Sequence, residues 1–212
     1  MPNLAQIRKE YSLNKMDESS ILTNPFKQFE KWFNEALAAK VMEPNAMNLA
    51  TVTENNRPTA RTVLLKGFND KGFTFYTNYG SNKGKALEQT PFCAITFFWP
   101  ELERQIRIEG SVERGSPKDA DEYFKSRPRE SQLGAWASPQ STVISSREII
   151  EQRYKLLEQK MLGKTLERPK QWGGYLVKPF LIEFWQGRPS RLHDRIQYTL
   201  VDSAWKVNRL AP

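Results

Sequence analysis

Phe92-Cys93-Ala94-Ile95-Thr96-Phe97-Phe98-Trp99 is an aromatic, β-branched and small apolar run closed by Pro100, and it reads as a strand in which Cys93 is a small buried residue. The same texture recurs on either side. Upstream lie Ala46 to Thr53, Thr59 to Phe68 and Gly72 to Asn78, and downstream lies Glu103 to Arg114. Asn55-Asn56, Asn69-Asp70-Lys71-Gly72 and Pro100 separate these runs as turns, so the block is an antiparallel meander or barrel. A short helix is expected after Ser81, where Gly84-Lys85-Ala86-Leu87-Glu88 lacks strand character.

Helices flank this block. Asn24-Pro25 offers an N-cap and a proline suited to the first turn, and Phe26, Phe29, Phe33, Ala36 and Leu37 follow at helical spacing, which predicts a helix over 25–40. Ser116-Pro117 repeats the signal ahead of Ala120, Tyr123 and Phe124. Ser145-Ser146-Arg147-Glu148 has the form of a capping box ahead of Ile150, Tyr154, Leu157 and Met161. Strands return at Gly174 to Trp185, Arg195 to Val201 and Ala204 to Arg209. The chain therefore reads as a single mainly β domain over 1–212, its sheet completed late, with peripheral helices and no internal repeat or linker.

Composition narrows the chemistry. An apolar share of 39% with 26% charged residues is that of a soluble globular protein. One cysteine cannot form an intramolecular disulfide, no stretch approaches the ~20 apolar residues of a membrane span, and the N-terminus turns charged early, so a cytoplasmic protein is expected. One histidine and one cysteine cannot furnish a tetrahedral zinc site, so no metal is expected. No glycine-rich strand-to-helix turn or phosphate loop is present, so any nucleotide cofactor must be held by side chains on a β scaffold. The net charge of +8 is spread as single lysines and arginines, which favours discrete phosphate sites over a nucleic-acid stripe.

Four segments carry unusual polarity. In Arg61-Thr62-Val63-Leu64-Leu65-Lys66 two cations bracket an apolar strand, either as snorkelling ends or as ligand contacts. Their odd spacing sends them to opposite faces of a regular strand, so shared use requires a twist or bulge. Ser81-Asn82-Lys83-Gly84-Lys85 puts hydroxyl, cation and free N–H groups at a helix start, an ordinary loop or a phosphate site. Tyr123 and Arg127 lie one helical turn apart with Ser131 just beyond, a set suited to a phosphate dianion or equally to an exposed helix end. Glu183 to Arg195 packs the single histidine, His193, between arginines; a guanidinium is rarely buried without an anionic or planar partner, which favours function there.

At these residues the chain resembles the pyridoxamine phosphate oxidase family. The similar stretches run in order from Arg8-Lys9-Glu10-Tyr11 and Asn45-Ala46-Met47 through Arg61 to Gly67, Phe75-Tyr76-Thr77-Asn78, Arg104-Gln105 and Tyr123 to Arg129. They continue with Gln132-Leu133-Gly134-Ala135, Gln140-Ser141, Trp172-Gly173-Gly174, Glu183 to Gly187, Arg191 to Arg195 and Arg209-Leu210-Ala211-Pro212.

The resemblance implies an FMN-binding split barrel, an antiparallel barrel working as a homodimer with FMN at the subunit interface. It implies oxidation of pyridoxamine 5′-phosphate and pyridoxine 5′-phosphate to pyridoxal 5′-phosphate, with hydride passing from substrate C4′ to flavin N5 and O2 reduced to H2O2. By the same resemblance, Arg61, Thr62, Val63, Leu64, Leu65 and Lys66 are cofactor positions, as are Tyr76, Thr77, Asn82, Lys83, Gln105, Gln140, Ser141, Trp185 and Arg195. Arg61, Lys83, Gln140 and Ser141 resemble the phosphate and ribityl contacts, and Arg195 the cation beside the flavin's pyrimidine end. Lys66, Tyr123, Arg127 and Ser131 resemble the clamp on the substrate phosphate. Arg191, Leu192 and His193 would face its pyridine ring, with Arg191 and His193 as the catalytic candidates. Arg8, Lys9, Glu10 and Tyr11 resemble part of an N-terminal covering segment, residues 1–23. The family usually has arginine where Asn82 stands, and Glu43, where some relatives carry aspartate, is left outside the site. Two rivals are a split-barrel carrier of flavin, deazaflavin or haem, and a basic nucleic-acid-binding barrel with stacking aromatics.

Overall fold

A computed structural model describes residues 3–212. Its strands are β1 (Ala46–Val52), β2 (Pro58–Leu64), β3 (Gly67–Asn69), β4 (Gly72–Asn78), β5 (Phe92–Trp99), β6 (Arg104–Arg114), β7 (Trp172–Gln186), β8 (Asp194–Val201) and β9 (Ala204–Leu210). Its helices are α1 (Pro25–Ala38), α2 (Asn82–Gln89), α3 (Pro117–Ser126), α4 (Arg129–Ala137) and α5 (Glu148–Lys160). All strand pairs are antiparallel. The order is β2-β1-β5-β6-β7-β4-β3, with β8 also on β7 and β9 on β8.

The sheet forks at β7. One edge of this long strand pairs with β6, while the other is shared: Trp172 to Asn78 through Val177 to Phe73 on β4, then Leu181 to Thr199 through Gln186 to Asp194 on β8. Pro179 lies between the two sets, where a residue without an N–H costs the ladder least. The β6 register shifts opposite it, between Glu109 and Gly110. A Cβ on Gly110 would stand 2.5 Å from the Lys178 carbonyl oxygen, so only glycine permits this close approach.

The expected strand Thr59 to Phe68 is two strands. Leu65 N–H donates to the Asn45 carbonyl at 2.8 Å, and Lys66 N–H donates to the Thr74 carbonyl at 2.8 Å. The chain thus changes partners within two residues, crossing from one end of the strand order to the other and curling the sheet. That step also breaks the alternation that separates Arg61 from Lys66 on a regular strand.

α1 fills the curl. Asn24 caps it by accepting from Phe26 and Lys27 N–H, as its sequence signal predicts. Phe29 is fully buried, with its ring 4.8 to 5.3 Å from those of Phe68, Phe73 and Phe97. Leu37, expected on this inner face, is 53% exposed, and Trp32 is buried on it instead. A smaller core of Phe124, Leu133, Leu166 and Trp172 is flanked by Tyr154, Leu157 and Met161 of α5. The capping box at Ser145 does not form: α5 starts at Glu148 after an Arg147 already in helical conformation, without a side-chain cap. α4 has no counterpart among the sequence expectations, because Gly134 weakens its helical signature. Burial of Leu133 and Ala137 stabilises it. Among the described residues, no helix is long and apolar enough to cross a membrane.

Candidate active site

Two concave regions gather most of the sequence-derived candidates. The first has a volume of about 660 Å3. Thr62, Val63, Leu64 and Lys66 reach it from β2 and its exit, Tyr76 and Thr77 from β4, and Lys83 from α2. Tyr123, Arg127 and Ser131 come from the α3–α4 junction, Gln140 from the following loop and Trp172 from β7.

Among the described residues, the cations Lys66, Lys83 and Arg127 that line it, and Arg61 outside the lining on β2, have no carboxylate partner. Arg61 donates from Nη1 to the Leu49 carbonyl at 3.1 Å and Thr51 Oγ1 at 2.8 Å, and from Nη2 to Thr59 Oγ1 at 2.6 Å, none of them a carboxylate. Among the described residues Lys83 Nζ reaches only Thr77 Oγ1, at 3.4 Å, and Thr77 in turn donates to Gln140 Oε1 at 3.4 Å. Burial, then the Arg61 charge, hold Lys83 below the usual lysine range. Two like charges at a partly buried place raise the energy of the free protein and are relieved by an anion. Arg127 is starker. Its guanidinium lies 4.8 Å from the Trp172 ring centroid, and Nη1 is buried without a hydrogen-bond partner. Beside it Tyr76 stacks on Tyr123 at 4.1 Å and on Trp172 at 5.4 Å, a rigid aromatic wall.

The second region, of about 550 Å3, is lined by Ile7 to Tyr11 on one side and Arg188, Ser190, Arg191 and His193 on the other. The Tyr11 ring meets Trp185 edge-on at 5.7 Å and His193 at 5.8 Å, and Trp185 lies 4.6 Å from His193. Arg188 N–H donates to His193 Nδ1 at 3.1 Å, so in the neutral ring the proton resides on Nε2. Burial, then Arg191, lower the His193 pKa, against a smaller opposing effect of Asp194. Ser190 and Arg191 sit at φ +56° and +61°, left-handed conformations that cost non-glycine residues energy and cluster at functional sites. Gln105, Trp185 and Arg195 share one cross-strand row of β6, β7 and β8.

Among the described residues, none lines both regions. Of the candidates, Arg61, Leu65, Asn82, Gln105, Ser141, Trp185, Leu192 and Arg195 line neither region. Asn82 is exposed in the first turn of α2, Ser141 is exposed at φ +70°, and Leu192 is exposed beyond the 3-10 turn. Leu65 is buried in the core. Two acids escape the sequence reading. Glu183, 2% exposed, accepts from Arg195 Nε at 2.8 Å and Arg107 Nη1 at 2.9 Å. Glu103, also 2% exposed, accepts from the backbone of residues 12 and 13. The available signal was an acid inside an apolar strand for Glu183; Glu103 sits in a polar turn and offers none.

A curled antiparallel sheet that forks at one long strand, with cation-rich hollows on its flanks, defines a split barrel of the pyridoxamine phosphate oxidase type. The family described as pyridoxamine 5′-phosphate oxidase matches residues 33–161, and the pyridoxine 5′-phosphate oxidase C-terminal dimerisation region matches residues 172–212. The chain belongs to the pyridoxamine 5′-phosphate oxidase family. It is 53% identical over 211 residues, 99% of each chain, to a pyridoxine/pyridoxamine 5′-phosphate oxidase of Gloeothece citriformis. It is 54% identical to one of Burkholderia ambifaria, covering 100% of both. Among solved structures, PhzG from Burkholderia lata, in complex with tetrahydrophenazine-1-carboxylic acid, superposes with a TM-score of 0.89 at 29% identity, over 95% of this chain and 100% of that one. A pyridoxamine 5′-phosphate oxidase-related, FMN binding protein of Nostoc punctiforme shares the fold, with a TM-score of 0.69 at 19% identity over 87% and 97% of the two chains.

Proposed function

We propose that this protein oxidises pyridoxamine 5′-phosphate and pyridoxine 5′-phosphate to pyridoxal 5′-phosphate, with FMN as cofactor and O2 reduced to H2O2. The observation that carries the reading is Arg127, whose buried Nη1 has no partner while its guanidinium lies over Trp172. A buried donor left unpaired costs ~1–3 kcal/mol, and a phosphate beside it removes that cost. Lys66, Tyr123 and Ser131 line the same hollow and complete a substrate phosphate clamp.

Arg61 and Lys83, cations without carboxylate partners, fit a second phosphate, that of FMN. Gln140 and Ser141 would hold the ribityl chain, and Thr62 to Leu64, Tyr76, Thr77, Gln105, Trp185 and Arg195 would surround the flavin, whereas Leu65 serves the core. FMN, when bound, supplies the two-electron acceptor that O2 reoxidises. The alcohol substrate loses a hydride and a proton to become the aldehyde; the amine loses the same to become an imine, which water hydrolyses with release of ammonia. Arg191 and neutral His193 orient the pyridine ring, and His193 Nε2–H offers a donor to its oxygen. Fixing that ring converts an encounter into an effectively intramolecular step.

The two hollows are joined, in this reading, by a second copy of the chain, giving a homodimer with residues of both subunits at each site. Phe92 and Phe98, each 53% exposed on β5, supply apolar surface for such a face. Cys93 is buried and burial pushes its thiol up to about 12, so it is a poor nucleophile and is given no part in the reaction. The test is a visible spectrum of the purified protein together with oxygen uptake. A yellow protein that consumes O2 with either B6 phosphate and forms peroxide is expected; flavin-bound protein inert to both would overturn the oxidase reading.

A further inference from the structure

Glu103 lies in the turn between β5 and β6 at φ +54°, a conformation that glycine adopts freely and glutamate does not. Its side chain is only 2% exposed. One carboxylate oxygen, Oε2, accepts from Ser12 N–H at 2.8 Å and from Leu13 N–H at 3.0 Å, and the other faces Lys9 Nζ at 3.4 Å. Its carbonyl accepts from Gly187 N–H at 2.7 Å, at the end of β7. Tyr11, between the gripped residues, packs on Gly187, where an added Cβ would come within 2.8 Å of the tyrosine. Glutamate in a glycine-like conformation, buried and aimed at another segment's amides, points to a role for the carboxylate itself.

We infer that Glu103 is a positioning residue: its buried carboxylate holds residues 9–13 so that the Tyr11 ring stays against Trp185 and His193, over the substrate side of the site. The part concerning catalysis rests on the function proposed above. The hold on the segment does not. Charge-assisted bonds to two amides are strong enough to keep a short segment in one conformation, and their loss frees it without touching the barrel core.

Two variants of the FMN-loaded protein separate this role from a merely structural one. Glu103→Gly relieves the backbone while removing the carboxylate, and a thermal melt of the loaded variant checks that it folds. Glu103→Gln keeps one acceptor and loses the charge. Amide exchange at Ser12 and Leu13 is expected to quicken about tenfold in Glu103→Gly and by less in Glu103→Gln. KM for pyridoxamine 5′-phosphate should rise about tenfold in Glu103→Gly with kcat changed less than about twofold, and partly recover in Glu103→Gln. Adding Glu103→Gly to Tyr11→Ala should raise KM little beyond Tyr11→Ala alone, because the carboxylate acts through that ring. Unchanged exchange, an unchanged KM, or effects of the two substitutions that multiply would each overturn the inference. A wild-type protein inactive on both B6 phosphates would fail the proposed function instead, while the exchange rates would still decide whether Glu103 holds the segment.

Discussion

Arg195 Nε donates to Glu183 Oε1 at 2.8 Å, and this carboxylate, although 2% exposed, also bridges to Arg107. One buried acid on β7 therefore fixes two guanidinium groups on the strands that flank it, β6 and β8. Glu183→Ala leaves both without it, but each is partly solvated, so the loss should fall below that of a fully buried pair, at about 1–3 kcal/mol. Chemical denaturation checks this, and Glu183→Gln, which keeps one acceptor, should lose less.

Arg127→Met offers a sharper contrast. The methionine stem can still pack on Trp172, and the orphaned buried donor disappears, so the folded protein should be as stable as the parent or slightly more so. If the guanidinium awaits the substrate's phosphate, kcat/KM should fall by about 1.5–3 kcal/mol, roughly tenfold to a hundredfold. Thermal melts and steady-state kinetics together decide the matter; parallel loss of stability and activity would mean a structural arginine.

The pH dependence follows from His193. Burial and Arg191 lower its pKa in the fold below the ordinary 6.5, so the unfolded chain binds the proton more readily. Stability linked to this group is present above pH 6.5 and is lost as pH falls through the window below it. Replacement by asparagine should shrink the fall in Tm between neutral and mildly acid pH. If the neutral form is the working one, as the proposed function has it, wild-type kcat/KM should decline on the acid side, below the ordinary histidine range.

Much of the sheet is legible in the sequence because its strands are bounded by residues that act locally. Gly72 to Asn78 and Phe92 to Trp99 carry β-branched and aromatic runs ended by turn formers, and the structure has strands over the same spans. The break after Leu64 is not legible, since it is caused by a change of hydrogen-bond partner, and the one local sign, Gly67, is a lone glycine in an otherwise strand-like run. Helix α4 is masked by Gly134 and stabilised by burial against Trp172, a tertiary effect. In the site, Tyr123, Arg127 and Ser131 stand out as polar groups at suggestive spacing, Lys66 joins them only through the family resemblance, and all four line one hollow. Glu103 escapes that reading because its importance depends on which distant amides it meets.

Asn82 leads to the last prediction. It occupies the first turn of α2, exposed, next to Lys83, where the sequence resemblance leads to the expectation of an arginine. Asn82→Arg adds a third cation near Arg61 and Lys83. In the free protein this adds repulsion and sets a positive charge at the positive end of a helix, costing about 0.3–1 kcal/mol. With a phosphate present the sign reverses, because the dianion attracts all three. FMN binding should tighten by about 1.4 kcal/mol, or roughly tenfold, at low ionic strength. The gain should shrink as salt rises, since an exposed side chain is readily screened. Turnover at saturating FMN should stay unchanged, because the phosphate lies away from the reacting end of the flavin. FMN titrations at low and high salt, paired with melts of the FMN-free protein, separate the two effects. Equal FMN affinities at low salt would show that position 82 does not reach the phosphate.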